Sequence, residues 1–299
     1  MDHVAFDRDP PAQLTTLVMA FGGWIDAGRA ATGAVRHLIG ELHAERVAAI
    51  EPEDFFVLTQ ERPEVRLRPD GEREIHWPRS EFFAWAGDGG DGLLFFCGPE
   101  PHQRWRTYTT AFLDVAQRCG VRRIVSLGAL LASAPHTRPV RVTGRCTEPS
   151  VRALLEAWGI YRVPTYEGPT GISSVLLDAA ARRGIEQVGF MGQAPHYLQD
   201  VENPAAIQAL VGYAARLLHV TADVSRFSEA INEFRTQIDR AVARDKATRE
   251  HVKRLEQQYD AEAAEERQPL PDGELDSDKL MRDLEDFLRK QRQGGAEER

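Results

Sequence analysis

Cysteine is scarce in this chain: three in 299 residues, at positions 97, 119 and 146, with no CxxC pair. That spacing excludes a disulfide scaffold and a thiolate metal centre, so buried free thiols are expected. Long apolar runs are also missing. None approaches the roughly 20 residues that span a bilayer, so no membrane partner is expected. The opening residues, Met1-Asp2-His3-Val4-Ala5-Phe6-Asp7, lack the apolar core of a signal peptide, and a cytoplasmic protein is expected. Lysine is rare, four residues against 33 arginines, and the acidic residues outnumber the basic ones 46 to 37, a net charge of −9. The imbalance is concentrated late: from residue 260 onward there are 13 acidic and 7 basic residues, against 33 and 30 before it. A nearly neutral body with an acidic tail argues against nucleic acid as a partner. No HExxH, P-loop or GxGxxG occurs, and Ser173-Ser174 lack a Gly-x-Ser-x-Gly elbow. Motif-defined zinc peptidase, NTPase, dinucleotide and serine hydrolase roles are therefore unsupported. Neither a cofactor nor a metal is expected.

What is present is organised around residues 14–42. Leu14, Leu17, Val18, Met19, Ala20 and Phe21 form a nearly continuous apolar run, as in a strand buried on both faces. After Gly22 and Gly23, Ala27, Ala30, Ala31, Ala34, Val35, Leu38, Ile39 and Leu42 recur at helical spacing, with Asp26 placed to cap the helix. A strand feeding a helix through a glycine turn opens a βαβ unit, and ligands on such sheets sit where these turns gather. Further strands are expected at 55–59, 93–97, 124–127 and 187–191. A hairpin is expected over 65–77, turning at Pro69-Asp70-Gly71, and helices at 108–119, after Glu148-Pro149-Ser150, at 172–183 and at 204–220. Residues 1–13, with Pro10 and Pro11, look like a loose lead-in. The alternation predicts an α/β fold: a mixed or mostly parallel sheet covered by helices on both faces, over residues 1–220.

Residues 221–299 form a helical arm on this reading. Phe227, Ile231, Phe234, Ile238, Ala241, Asp245, Thr248, Val252, Leu255 and Tyr259 alternate at spacings of four and three, a heptad seam interrupted by Asp245 and Thr248. One continuous helix of about 40 residues, about 60 Å long, is expected. After Pro269, Pro271 and Gly273, Leu280, Leu284, Phe287 and Leu288 define a shorter helix. The arm either folds back as an intramolecular hairpin or serves to oligomerise or bind a partner.

Three segments together resemble the PAC2 family, relatives of the proteasome assembly chaperones: Gly23-Trp24-Ile25-Asp26-Ala27-Gly28, Tyr166-Glu167-Gly168-Pro169-Thr170-Gly171 and Gly192-Gln193-Ala194-Pro195-His196-Tyr197. Pro135-His136-Thr137-Arg138-Pro139 resembles a mostly actinobacterial branch. The resemblance covers residues 14–220. It implies a three-layer α/β/α fold similar to nucleoside phosphorylases, without established catalysis. Protein partners are implied, among them proteasome subunits and further copies of the chain. Some relatives dock through a hydrophobic-Tyr-X tail. This sequence ends Gly294-Gly295-Ala296-Glu297-Glu298-Arg299, so tail docking of that type is not implied.

The candidate site residues come from these turns: Gly23, Trp24, Asp26, Glu167, Thr170, Gly171, His196 and Tyr197, with His136 and Arg138 as a second polar group. Asp26 is a general base or a helix cap, and capping is the usual role of a short acid there. Thr170 and Gly171 open a helix whose N–H groups suit an anion, or Thr170 caps that helix itself. Glu167 orients a ligand or pairs structurally. His196 is a catalytic base or a loop histidine held by a carbonyl. His136 and Arg138 suit phosphate or carboxylate, or pair at the surface. Two functions follow: a non-enzymatic assembly or interaction factor, or a ligand-binding protein or enzyme acting on a nucleoside-like or amide substrate in the crevice at the strand ends.

Overall fold

The computed structural model describes residues 3–11, 13–87, 91–199 and 201–267. Ten strands and seven helices follow in the order β1 (Val4–Phe6), β2 (Leu14–Gly22), α1 (Ala30–Glu41), β3 (Glu45–Ile50), β4 (Glu64–Leu67), β5 (Arg73–His76), β6 (Ser80–Trp85), β7 (Gly92–Pro99), α2 (Trp105–Arg118), β8 (Arg123–Ala132), β9 (Val142–Cys146), α3 (Pro149–Ala157), α4 (Ile172–Arg182), β10 (Glu186–Pro195), α5 (Pro204–Leu218), α6 (Phe227–Arg244) and α7 (Lys246–Arg267). Eight strands form one mixed sheet in the order β1-β3-β6-β7-β2-β8-β10-β9, and β4 and β5 form a separate hairpin. The central strands β7, β2, β8 and β10 are parallel, whereas β6 and β9 run antiparallel to their neighbours.

The apolar runs explain the centre. β2 is buried along almost its whole length, and its side chains feed two cores. Leu17, Met19 and Phe21 point to one face, where Phe96, Tyr108, Phe112, Leu176 and Leu177 pack beneath α2 and α4. Val18 and Ala20 point to the other, against Ala31, Val35, Leu210 and Val211 of α1 and α5. Successive residues serving opposite faces is the period-two geometry of a strand covered on both sides. The result is a three-layer α/β/α fold.

Several expectations are corrected. Residues 55–59 are not a strand: the Phe55 and Phe56 N–H groups both donate to the Pro52 carbonyl, so a turn delivers the two rings into the core. The neighbouring strand is β3, whose alanines hid it from an apolar-run reading. β6 and β9 were likewise unforeseen. The lead-in contains β1, an edge strand antiparallel to β3. Gly192-Gln193-Ala194-Pro195, read as a turn, continues β10 in register with β8 as far as Ala132.

The continuous arm helix is broken. Asp245 has extended backbone, and its carboxylate accepts from the Thr248 N–H at 2.7 Å and the Thr248 hydroxyl at 2.5 Å, capping α7. The two polar interruptions of the heptad seam are therefore a helix stop and start. Ile231, Ile238, Val252 and Leu255 from the seam are buried. The chain divides into a compact unit ending at Leu255 and a second beginning at Glu256. The expected final helix around Leu280, Leu284, Phe287 and Leu288 lies outside the described residues.

Candidate functional site

The parallel strands β2, β7, β8 and β10 all end on one rim, and the sequence motifs sit in the turns that leave it. β2 ends at Gly22, and Gly23 turns with φ of 123°, a conformation costly for any residue with a Cβ. Trp24 follows, 57% exposed. Asp26 then bridges in parallel to Ala129 of β8, and the Ala129 N–H donates to the Ile25 carbonyl at 2.8 Å.

The Asp26 side chain is buried and serves the helix. Oδ1 accepts the Ala31 N–H at 2.8 Å and the Thr32 N–H at 3.1 Å, and Oδ2 accepts the Thr32 hydroxyl at 2.6 Å. A single 3-10 turn, Ala27–Arg29, separates it from α1, so it caps from five and six residues away rather than from the N-cap position. Burial pushes its pKa above the ordinary aspartate value, against the pull of the Thr32 and Ala31 hydrogen bonds.

Glu100 makes the second cap, and the sequence reading missed it. Its main-chain N–H donates to the Gly22 carbonyl at 2.8 Å, and its Oε1 accepts the Ile172 N–H, at the first turn of α4, at 2.8 Å. A Cβ on Gly171 would lie 2.8 Å from that same Oε1 and 3.9 Å from the Trp24 ring, so Gly171 is the space the carboxylate occupies. Gly23, Trp24, Glu100 and Gly171 are thus one assembly. Thr170 does not cap α4: the N-cap is Gly171, with no side-chain cap of its own. Thr170 and Glu167 are both exposed, in a loop where the Tyr166 hydroxyl donates to the Pro169 carbonyl at 3.0 Å. The signal for Glu100 was available, an acid in Gly98-Pro99-Glu100-Pro101 just past a buried strand, but its target lies 72 residues away.

The second assembly gathers at the ends of β8 and β10. The His136 N–H donates to the Tyr197 hydroxyl at 2.9 Å, and His136 Nδ1 lies 2.7 Å from the same oxygen. On the other side of the ring, His136 Nε2 lies 3.1 Å from Asp239 Oδ1. Asp239 belongs to α6, so this chain of bonds ties the arm to the sheet. His196 is exposed; its Nδ1 lies 3.1 Å from the Ala132 carbonyl and its Nε2 3.2 Å from Nε2 of His251 on α7. Arg138 lines a cavity of about 10 Å³ with His136, Asn203 and Arg235. The candidate residues thus fall in two hydrogen-bonded groups on the rim, one around Asp26 and Glu100 and one around His136 and Tyr197. Among the described residues, no group of three His, Cys, Asp or Glu is arranged to hold a metal, and no helix is long and apolar enough to cross a membrane.

Comparison with known proteins identifies the fold. The PAC2 family profile matches residues 20–242. A PAC2 family protein from Streptomyces avermitilis is 34% identical with a TM-score of 0.70, covering 80% of this chain and 99% of its own. A Mycobacterium tuberculosis proteasome-assembly chaperone homologue is also 34% identical, with a TM-score of 0.69, covering 80% of this chain and 100% of its own. The fold extends to an archaeal proteasome activator from Pyrococcus furiosus, 19% identical with a TM-score of 0.64, covering 81% of this chain and 99% of its own. No curated protein matches by sequence. The glycine turns and the strand ends they leave fall within the matched span, and the chain belongs to the PAC2 family.

Proposed function

We propose that this chain is a non-enzymatic, cytoplasmic protein-binding factor of the assembly-chaperone type, with proteasome subunits as partners, and that the partner docks on the rim around Trp24. The observation that carries the reading is the Trp24 ring, 57% exposed on a turn held rigid by neighbours whose polar groups are committed elsewhere. Asp26 and Glu100 hold helix ends. Leu130 and Leu131, just past the residue that bridges to Asp26, are nearly half exposed, and the loop leading to Gly171 adds the exposed Tyr166. Exposed aromatic and aliphatic side chains on a fixed scaffold are what protein interfaces use as anchors. The relative described as a proteasome-assembly chaperone homologue, 34% identical over its full length, supports the choice of partner. At the His136 group a nucleoside-like ligand fits less well. The cavity beside His136 is about 10 Å³, room for one water, where small-molecule sites measure about 300 Å³ or more.

The test is binding of the full chain to purified proteasome α-subunits by biolayer interferometry. Trp24→Glu is expected to weaken binding by at least about tenfold, as for an anchor residue, while thermal melting stays unchanged. Equal binding by the variant, or no binding by the wild type, overturns the proposal.

A further inference from the structure

The hairpin of β4 and β5 projects from the segment between β3 and β6, and every residue of β4 is exposed. Its two faces nevertheless differ. Val65 pairs with Ile75 and Leu67 with Arg73, and Trp77 follows two residues beyond Ile75. Val65, Leu67, Ile75 and Trp77 are 59%, 72%, 55% and 48% exposed. The opposite face carries Glu64 and Arg66 across from His76 and Glu74. Among the described residues, no third strand joins this two-stranded sheet. Because the Arg68 N–H donates to the Glu72 carbonyl, alternation turns the main-chain groups of Glu64 and Arg66 toward β5. The N–H and C=O groups of Val65 and Leu67 then face the open edge. An unpaired edge beside an apolar face is a template for another strand.

We infer that this edge pairs with the same edge of a second copy of the chain, antiparallel, about a twofold axis at Val65. Charge complementarity selects that occupant. Around Val65 the sequence is Glu64-Val65-Arg66, and antiparallel self-pairing sets each Glu64 against Arg66 of the partner subunit, twice per interface. Within one chain these two side chains already form an ion pair at 3.1 Å, so both lie on the same face and within reach of an incoming strand. The two apolar faces merge into one four-stranded surface. Edge pairing sets these side chains next to one another without covering them, so the main-chain ladder and the two charge contacts hold the pair, short of the roughly 800 Å² per subunit that a stable dimer buries. A concentration-dependent dimer is therefore expected, not an obligate one. The inference does not rest on partner docking at Trp24, since the hairpin residues take no part in that assembly.

Sedimentation velocity of the full chain tests it, with Arg66→Glu, Glu64→Arg and the double reversal. The wild type is expected to dimerise reversibly. Each single reversal sets like charges against each other at both contacts and is expected to weaken the dimer by at least about tenfold, and the double reversal is expected to restore it. Melting curves of all four proteins are expected to coincide, because the hairpin is exposed. A wild type that is monomeric at about 0.3 mM overturns the inference. So does association, of any stoichiometry, that neither single reversal weakens, or a double reversal as weak as the singles. Trp24→Glu is expected to leave the dimer intact, which separates this inference from the docking proposal.

Discussion

Gly171→Ala is expected to destabilise the protein, although its backbone would accept alanine. The φ of Gly171 is −91°, so conformational strain contributes nothing. Reducing the freedom of the unfolded chain would, alone, stabilise the variant by about 0.4–1 kcal/mol. Against that, the new methyl carbon would lie 2.8 Å from Glu100 Oε1, well inside contact distance. The carboxylate must swing away, and the Ile172 N–H loses its 2.8 Å acceptor. A charge-assisted helix cap is worth about 1.5–3 kcal/mol, so the net loss is about 1–2 kcal/mol. For a domain of this size that lowers the melting temperature by about 2–8 °C. The decisive measurement is a double-mutant cycle by urea denaturation. In a Glu100→Ala background the cap is already gone, and the same Gly171→Ala change is expected to be neutral or stabilising by about 0.5 kcal/mol. An equal cost in both backgrounds would refute the claim that Gly171 exists to admit the Glu100 carboxylate.

Asp26 should leave a signature in pH. Its folded pKa lies above the ordinary value, so just above pH 4 the folded chain holds a proton that the unfolded chain has released. The folded state then binds more protons, and stability falls as pH rises through that window before levelling off. The stability difference between wild type and Asp26→Asn is expected to decline over the same window in urea titrations; a difference that grew with pH would contradict the assignment. Tyr197→Phe removes the hydroxyl that serves both the His136 N–H and Nδ1, and an expected cost of about 1–3 kcal/mol can be read from chemical denaturation. An unchanged midpoint would mean that another group satisfies His136. Burial pushes the Cys97 and Cys119 thiols up to about 11, and only Cys146 is partly exposed. Thiol labelling of the native protein at pH 8 should therefore modify Cys146 first, with the other two reacting only on unfolding; fast modification of all three would count against the packing described.

The apolar runs at β2 and β7 and the helical periodicity of α1, α2, α4 and α5 were legible because a strand buried on both faces, or a helix with one buried stripe, leaves its pattern in consecutive residues. β3 and β6 were not. Residues 45–50 open with Glu45-Arg46 and continue with small alanines, and β6 offers only the short run Phe82–Trp85, so their strand character comes from pairing with each other and with β7. Phe55 and Phe56 misled for the complementary reason: two adjacent aromatics look like a strand but here fill the core from a turn. At the site, capping by Asp26 was readable because donor and acceptor lie within six residues. The role of Glu100 was not, because its target lies 72 residues along the chain. The His136–Tyr197–Asp239 chain spans 103 residues from its histidine to its aspartate and has no local pattern at all.

Local chemistry alone was enough to set the α/β class, the glycine turns and the hairpin at Pro69-Asp70-Gly71, since each depends on forces acting within a few residues. Folding in three dimensions settled which acid caps which helix, that His136 meets Tyr197 and Asp239, and that Trp24 is left facing solvent. Those outcomes depend on which strand ends become neighbours, and strand order arises from long-range packing that no short window of residues encodes.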